Sequence, residues 1–327
     1  MNKTIGKMIP ALHKALPLLD ILLAPFTLAG ALLFTFIRRG GIQRMPVSRK
    51  ILLKVGVFPI VRHYYEPQFD HRQLARSLRE DRPLPGVQWN AQEQLELLGK
   101  FHYAEELLRF PYHKSPRLEY HYDNDFFLAG DSEYLYSMVR HFAPSRIIEI
   151  GSGNSTLMVE NAIRANLREN PGYSCRHICI EPYEMPWLEE TGVTVLRERV
   201  ETMDRALFTT LGAGDILFVD SSHIIRPQGD VLAIYLEILP TLKSGVLVHV
   251  HDILTPKDYF DQWVVDEVKF WNEQYLLEAF LTLNRDFRII GALNYLKHHH
   301  LELLSAKCPV LGRVRGCEPG SFWMVRN

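Results

Sequence analysis

Two short stretches carry residues able to move protons or hold a cation: Asp220-Ser221-Ser222-His223 and His249-Val250-His251-Asp252. Each closes an apolar, β-rich run, DILFVD at 215–220 and VLVHVHD at 246–252. Adjacent strands would bring Asp220 and Asp252 to one site. His249 and His251 share a strand face, because side chains alternate with period two. In one reading Asp220 and Asp252 offer hard oxygen ligands to Mg²⁺ or another divalent cation, with His251 completing a softer set. The cation would acidify a substrate hydroxyl. In another, no metal is bound and His223 or His251 takes the hydroxyl proton, a task suited to the near-neutral pKa of imidazole. In a third, the histidines only hydrogen-bond within the strand ends.

A second constellation lies upstream. Glu149-Ile150-Gly151-Ser152-Gly153-Asn154-Ser155-Thr156 follows a predicted strand and opens a predicted helix. Glycine serves where φ is positive or a ligand meets the backbone, and the helix start offers free N–H groups beside it. Glu181 closes the next strand, about 30 residues beyond the glycines. A carboxylate there can accept from both hydroxyls of a ribose. The third glycine of a dinucleotide fingerprint is absent, which argues against a nicotinamide cofactor.

These residues need a scaffold. Strands are predicted at 146–150, 177–181, 193–198, 215–220, 246–252, 287–296 and 321–327. Helices are predicted from Asn90, as cap, to about Arg109, from Asp131, as cap, to Ala143-Pro144, and over 155–168, 229–242 and much of 260–283. Continuous apolar strands alternating with helices indicate a parallel sheet covered on both faces. Tyr259, Phe260 and Trp263 either wall a substrate pocket or pack internally. His298-His299-His300 reads as a solvated loop before the last strand, since three neighbours do not readily face one ion.

EIGSGNST, CIEP, DILFVDSSH and LKSGVLVHVHDI, taken in order, resemble the class I S-adenosylmethionine-dependent methyltransferases. Within them the chain is similar to the bacterial group described as methyltransferase family 24, over roughly residues 117–327. The resemblance implies a Rossmann-like, seven-stranded, mostly parallel α/β sheet with helices on both faces, its last two strands forming an antiparallel edge. It implies S-adenosylmethionine as cofactor. Glu149, Gly151, Ser152 and Gly153 would border the methionine part, Glu181 the ribose and Glu201 the adenine, with Asp220 beside the methyl donor. It implies methylation of a hydroxyl on a small molecule or sugar. Some related O-methyltransferases carry a metal on positions matching Asp220 and Asp252, with a second Asn or Asp directly after; here Ile253 stands there. A binding or scaffold protein that has lost catalysis, or a different enzyme on the same fold, would share these motifs.

The first residues are another kind of sequence. Residues 15–37, ALPLLDILLAPFTLAGALLFTFI, form a 23-residue apolar run long enough to cross a bilayer, though Pro17, Asp20, Pro25 and Gly30 interrupt it. Lys3, Lys7 and Lys14 precede it, and Arg38, Arg39, Arg44, Arg49, Lys50 and Lys54 follow. The heavier basic side is C-terminal, which would leave the remaining chain cytoplasmic, at the inner membrane face. Spanning, lying in the interface, and serving as an arm packed on the protein or on a second copy in a homo-oligomer all fit the pattern. The expected organisation is a hydrophobic helical extension over 1–40, a linker and helical cap over 41–116, and the catalytic domain over 117–327. With 327 residues, 47% hydrophobic, 23% charged and net charge −1, the chain has no basic excess pointing to nucleic acid. Cys175, Cys179, Cys308 and Cys317 match no common zinc spacing and read as reduced thiols, with a Cys308–Cys317 bridge as the other reading.

Overall fold

The computed structural model describes the backbone of residues 3–327 and the side chains of 16–327; Lys3, Lys7, Lys14 and Ala15 lie outside the described side chains. The chain forms two compact units, Met1–Ala75 and Arg76–Asn327. The first holds helices α1 (Lys3–Gly40) and α2 (Pro46–Val55).

The second unit is built on seven strands: β1 (Arg146–Ile150), β2 (Arg176–Ile180), β3 (Thr194–Leu196), β4 (Ile216–Val219), β5 (Leu247–Val250), β6 (Phe287–Ala292) and β7 (Phe322–Arg326). Their order across the sheet is β3-β2-β1-β4-β5-β7-β6. The first five are mutually parallel, and β7 runs antiparallel to both β5 and β6. The strand order reverses beside β1, so the carboxyl ends of β1 and β4 border the crevice such sheets reserve for ligands. Alternation feeds two apolar layers. Ile147, Ile216 and Phe218 face one, while Ile148, Ile150, Leu217 and Val219 face the other. Helices α5 (Asp131–Phe142) and α6 (Asn154–Glu169) cover the first layer, and α8 (Glu273–Leu281) packs on the second. Each fully buried Ile, Leu or Phe contributes about 2 kcal/mol.

Several expected elements differ. The helix expected to run from Asn90 to Arg109 is two short ones, α3 (Ala91–Gly99) and α4 (Ala104–Leu107). Lys307 Nζ takes the Gly99 and Phe101 carbonyls at 3.2 and 2.7 Å, which ends α3 and turns Phe101 into the core. Asn90 has φ 47° and makes no side-chain cap. Asp131 is the first residue of α5 rather than its cap; it accepts from the Gly320 and Ser321 N–H groups. The 229–242 helix shortens to α7 (Asp230–Ala233) followed by wide and tight turns that end at Thr241. In 260–283 only α8 is regular α-helix, after a single wide turn at Gln262–Asp266. The sixth strand stops at Ala292, and α9 (Leu293–His299) and α10 (Leu301–Lys307) follow, so His298 and His299 end a helix and His300 is the single residue joining it to the next, in place of the expected loop. His298 pairs with Glu318 and His299 with Asp81, at 2.9 and 2.7 Å, which separates them onto different acids. All four cysteines are free.

Glu133 ties α5 to the C-terminal segment. Its buried carboxylate accepts from Gly130 N–H (3.0 Å), Leu311 N–H (2.9 Å) and Val310 N–H (2.7 Å). Burial pushes its pKa up to about 7 against the pull of those three donors. A folded-state pKa above the unfolded value adds stability below the unfolded pKa and loses it as pH rises through about 7. Glu133→Gln turns an amide N–H against a backbone N–H and should cost about 2–3 kcal/mol. Thermal melting should show the larger Tm deficit at about pH 5 and the smaller at about pH 8; an equal deficit at both would contradict the titration.

Candidate functional site

The glycine turn is set by sterics. Gly151 has φ 74°, and a Cβ on it would lie 2.0 Å from the Asp220 carbonyl oxygen. Only glycine lets the end of β1 meet the end of β4 this closely. Gly153 differs: its backbone is extended, and an added Cβ would meet only Met185, at 3.7 Å.

Glu149 lies beneath this turn. Its fully buried carboxylate accepts from Ser155 Oγ and Thr156 Oγ1 at the start of α6 and lies 2.9 Å from His177 Nε2. His177 Nδ1 in turn meets Glu160 at 3.0 Å. Burial opposes charge on His177, yet Cys179, Glu149 and Glu160 outweigh it and hold the imidazole's pKa well above its ordinary value. Glu149 therefore braces the turn from behind and does not line the crevice.

The crevice opens at the carboxyl ends of β1, β2 and β4. One part, about 360 Å³, runs from Gly151 past Glu181 to Arg199 and Glu201. An adjoining part of about 200 Å³ follows Ser152, Gly153 and Ser155 to Phe126. Gly151, Glu181 and Asp220 border both. Glu181 Oε1 accepts from the Tyr183 and Glu184 N–H groups at 3.0 and 2.9 Å, whereas Oε2 receives only the Ser152 N–H, at 3.3 Å. That leaves Oε2 able to accept from hydroxyls.

Beyond Phe126 lies a third cavity of about 560 Å³, walled by Phe126, Phe260 and Trp263 and edged by His251, Asp252 and Arg79. Tyr259 is not in that wall. It is buried, and its hydroxyl accepts from the Gln274 N–H at 3.1 Å.

Asp220, His223 and Asp252 converge between these spaces. His223 Nε2 lies 3.3 Å from Asp220 Oδ1 and 3.5 Å from Asp252 Oδ2. Its Nδ1 is 2.8 Å from Glu273 Oε2, which also accepts from Ser221 Oγ. Burial resists charge on His223, but Asp220 and Glu273 raise its pKa well above the usual value. Burial would raise the Asp220 carboxyl; the His223 and His251 imidazoles outweigh it and hold it low. His251 is also shifted up, against desolvation, by Asp252, Asp220 and Asp131. Its Nε2 is 3.5 Å from Asp252, and its buried Nδ1 has no partner. His223 and Asp252 both have positive φ, 60° and 55°, a strained backbone of the kind found at functional sites. His249 is fully buried, stacked on Phe218 at 4.1 Å, and desolvation holds its pKa well below the usual value.

Sequence reasoning missed Glu273. The Asn272-Glu273 pair opens α8, an acid in a first helical turn, but reading 260–283 as mostly one helix hid that start.

Sheet order, glycine turn and the acid at the end of β2 define a Rossmann-like α/β domain. Residues 148–253 match the family model described as methyltransferase domain. An uncharacterized protein of Archaeoglobus fulgidus is 25% identical over 165 residues, 46% of this chain and 72% of that protein. Among solved structures, the Bacillus cereus O-methyltransferase in complex with SAH is 11% identical, covering 72% of this chain and 91% of that one, at a TM-score of 0.36. The O-methyltransferase TomG from Streptomyces achromogenes, in complex with SAM, is 15% identical, covering 73% and 97%, at 0.35.

The two glycines should behave differently. Gly151→Ala should cost about 3 kcal/mol or more, read as a fall in Tm, because backbone must move. Gly153→Ala should stay within about 1 kcal/mol. Equal losses would contradict the close approach of β1 and β4.

Proposed function

We propose that this protein is an S-adenosylmethionine-dependent methyltransferase acting on a hydroxyl of a small molecule or sugar. The observation that carries the reading is Glu181, braced by two backbone N–H groups with Oε2 free enough to take ribose hydroxyls, at the Ser152 N–H that follows Gly151. The methionine part would follow Gly151–Ser155, and the adenine would lie toward Glu201 and Arg199. The bound sulfonium would supply an activated methyl, so the protein's tasks are to align the acceptor oxygen, exclude water and take one proton. The aromatic cavity beside Asp252 is of ordinary small-molecule size and suits the acceptor. We take residues 117–327 as the catalytic domain and 41–116 as linker and cap.

For the proton, a divalent cation on Asp220, His223 and Asp252 fits the donor set. One ligand atom from each lies within 4.8 Å of the others, and His223 hands its second nitrogen to buried Glu273, as metal-bound imidazoles do. Such an ion would acidify the acceptor hydroxyl. His223 thus replaces His251 in the expected set, and Ile253 adds no ligand. In a second reading His251 is the base without metal; its unpartnered Nδ1 beside the acceptor cavity favours this. We further take Leu16–Gly40, a 25-residue apolar helix, as a membrane segment holding the enzyme at the cytoplasmic face.

Calorimetric titration with S-adenosylmethionine should show micromolar binding, weakened by roughly 10- to 100-fold in Glu181→Ala as two charge-assisted hydrogen bonds are lost. Unchanged affinity would overturn the ribose assignment. Titration with Mn²⁺ should show one site that Asp252→Asn weakens about tenfold or more; no binding to the unsubstituted protein would leave His251 as the base.

A further inference from the structure

The stretch after α1 has a charge pattern unlike the rest of the chain. No acidic residue occurs between Asp20 and Glu66, while Arg38, Arg39, Arg44, Arg49, Lys50, Lys54 and Arg62 all do, in a chain of net charge −1. Arg38 is paired with Glu66 and Arg62 with Asp70. Arg39, Arg44, Arg49, Lys50 and Lys54 have no ion pair among the described residues.

Helix α2 arranges part of this charge on one side. Gly41, at φ 90°, breaks the chain from α1; Pro46 occupies the first turn of α2, and Gly56 closes it in the left-handed region. At about 100° per residue, Val47, Ile51 and Val55 stack into one stripe, with Leu52 beside it. Lys50 and Lys54 flank that stripe along one edge, and Arg49 falls on the far side. The stripe is open: Val47 is 71%, Ile51 57% and Val55 71% exposed. Past the helix, Val57, Phe58, Tyr64 and Tyr65 are exposed as well. An apolar stripe flanked by cations and followed by tyrosines is the pattern of a helix lying in a membrane interface. A second copy of the chain would present like charge to like charge; anionic headgroups present the complement.

We propose that α2 and the segment to Tyr65 form a lipid-surface site for an anionic bilayer, with Val47, Ile51 and Val55 at the acyl boundary and Arg44, Arg49, Lys50 and Lys54 on headgroup phosphates. This rests on the reading of Leu16–Gly40 as a membrane segment. The basic residues closest to that segment then bind the leaflet it emerges from.

The test uses the full chain with Ile51→Cys carrying an environment-sensitive fluorophore, in a Cys175→Ser background, since Cys175 is the one cysteine not buried. The protein is reconstituted into phosphatidylcholine vesicles, or into vesicles with about a third phosphatidylglycerol. In the anionic vesicles emission should rise about twofold or more and resist aqueous iodide, and added salt should reverse the gain. Arg49→Gln, Lys50→Gln and Lys54→Gln together should return the signal to its phosphatidylcholine level. A chain that floats with both vesicles while the probe stays open to iodide overturns the α2 site alone. A probe shielded equally in both vesicles and in detergent, in proportion to protein concentration, overturns it in favour of self-association. A chain that floats with neither overturns the membrane segment too, and leaves S-adenosylmethionine binding as the separate check on the enzyme.

Discussion

The approach of Gly151 to the Asp220 carbonyl, too close for any side chain, is the constraint on which the site depends. It brings the ends of β1 and β4 together, so the turn that begins α6 and the acid that ends β4 border one crevice. Glu149 supports the turn from the buried side through Ser155, Thr156 and His177. Each of these polar groups is out of water and would be costly to leave unpaired, which makes the turn rigid before any ligand arrives.

The same ends of the sheet collect charge. Asp220, Asp252 and buried Glu273 surround one imidazole, His223, whose backbone and that of Asp252 are held at positive φ. Concentrating acids there costs stability unless a cation or a proton sits among them. These acids raise the pKa of the His223 imidazole among them, and the proposed divalent ion would take the same place. Phe126 borders both the cavity beside this cluster and the one along the glycine turn. On the proposed reading, an acceptor oxygen beside Asp252 would face a methyl beside Asp220 across Phe126.

Much of this was legible in the sequence because strand ends are. Apolar runs that stop at Gly151, Glu181, Asp220 and Asp252 declare both the parallel sheet and the edge where ligands bind. The antiparallel β7 was equally readable from its place in the family pattern. What was not legible depends on side chains meeting across elements. Glu149 carries no mark that it turns inward to His177 rather than outward to the crevice. Glu273 was masked by a helical period that begins later than its apolar residues suggest. The end of α3 is decided by Lys307, some two hundred residues away. His298 and His299 are helical because Leu293, Leu296 and Leu304 must reach the core, which three consecutive histidines do not announce.

The most direct measurement is a crystal structure of the protein with S-adenosylhomocysteine. The account predicts the ribose hydroxyls on Glu181 Oε2, the amino-acid end along Gly151 to Ser155, and the sulfur facing the Asp220–Asp252 gap. A molecule bound elsewhere, or a crevice that stays empty at saturating ligand, would contradict it.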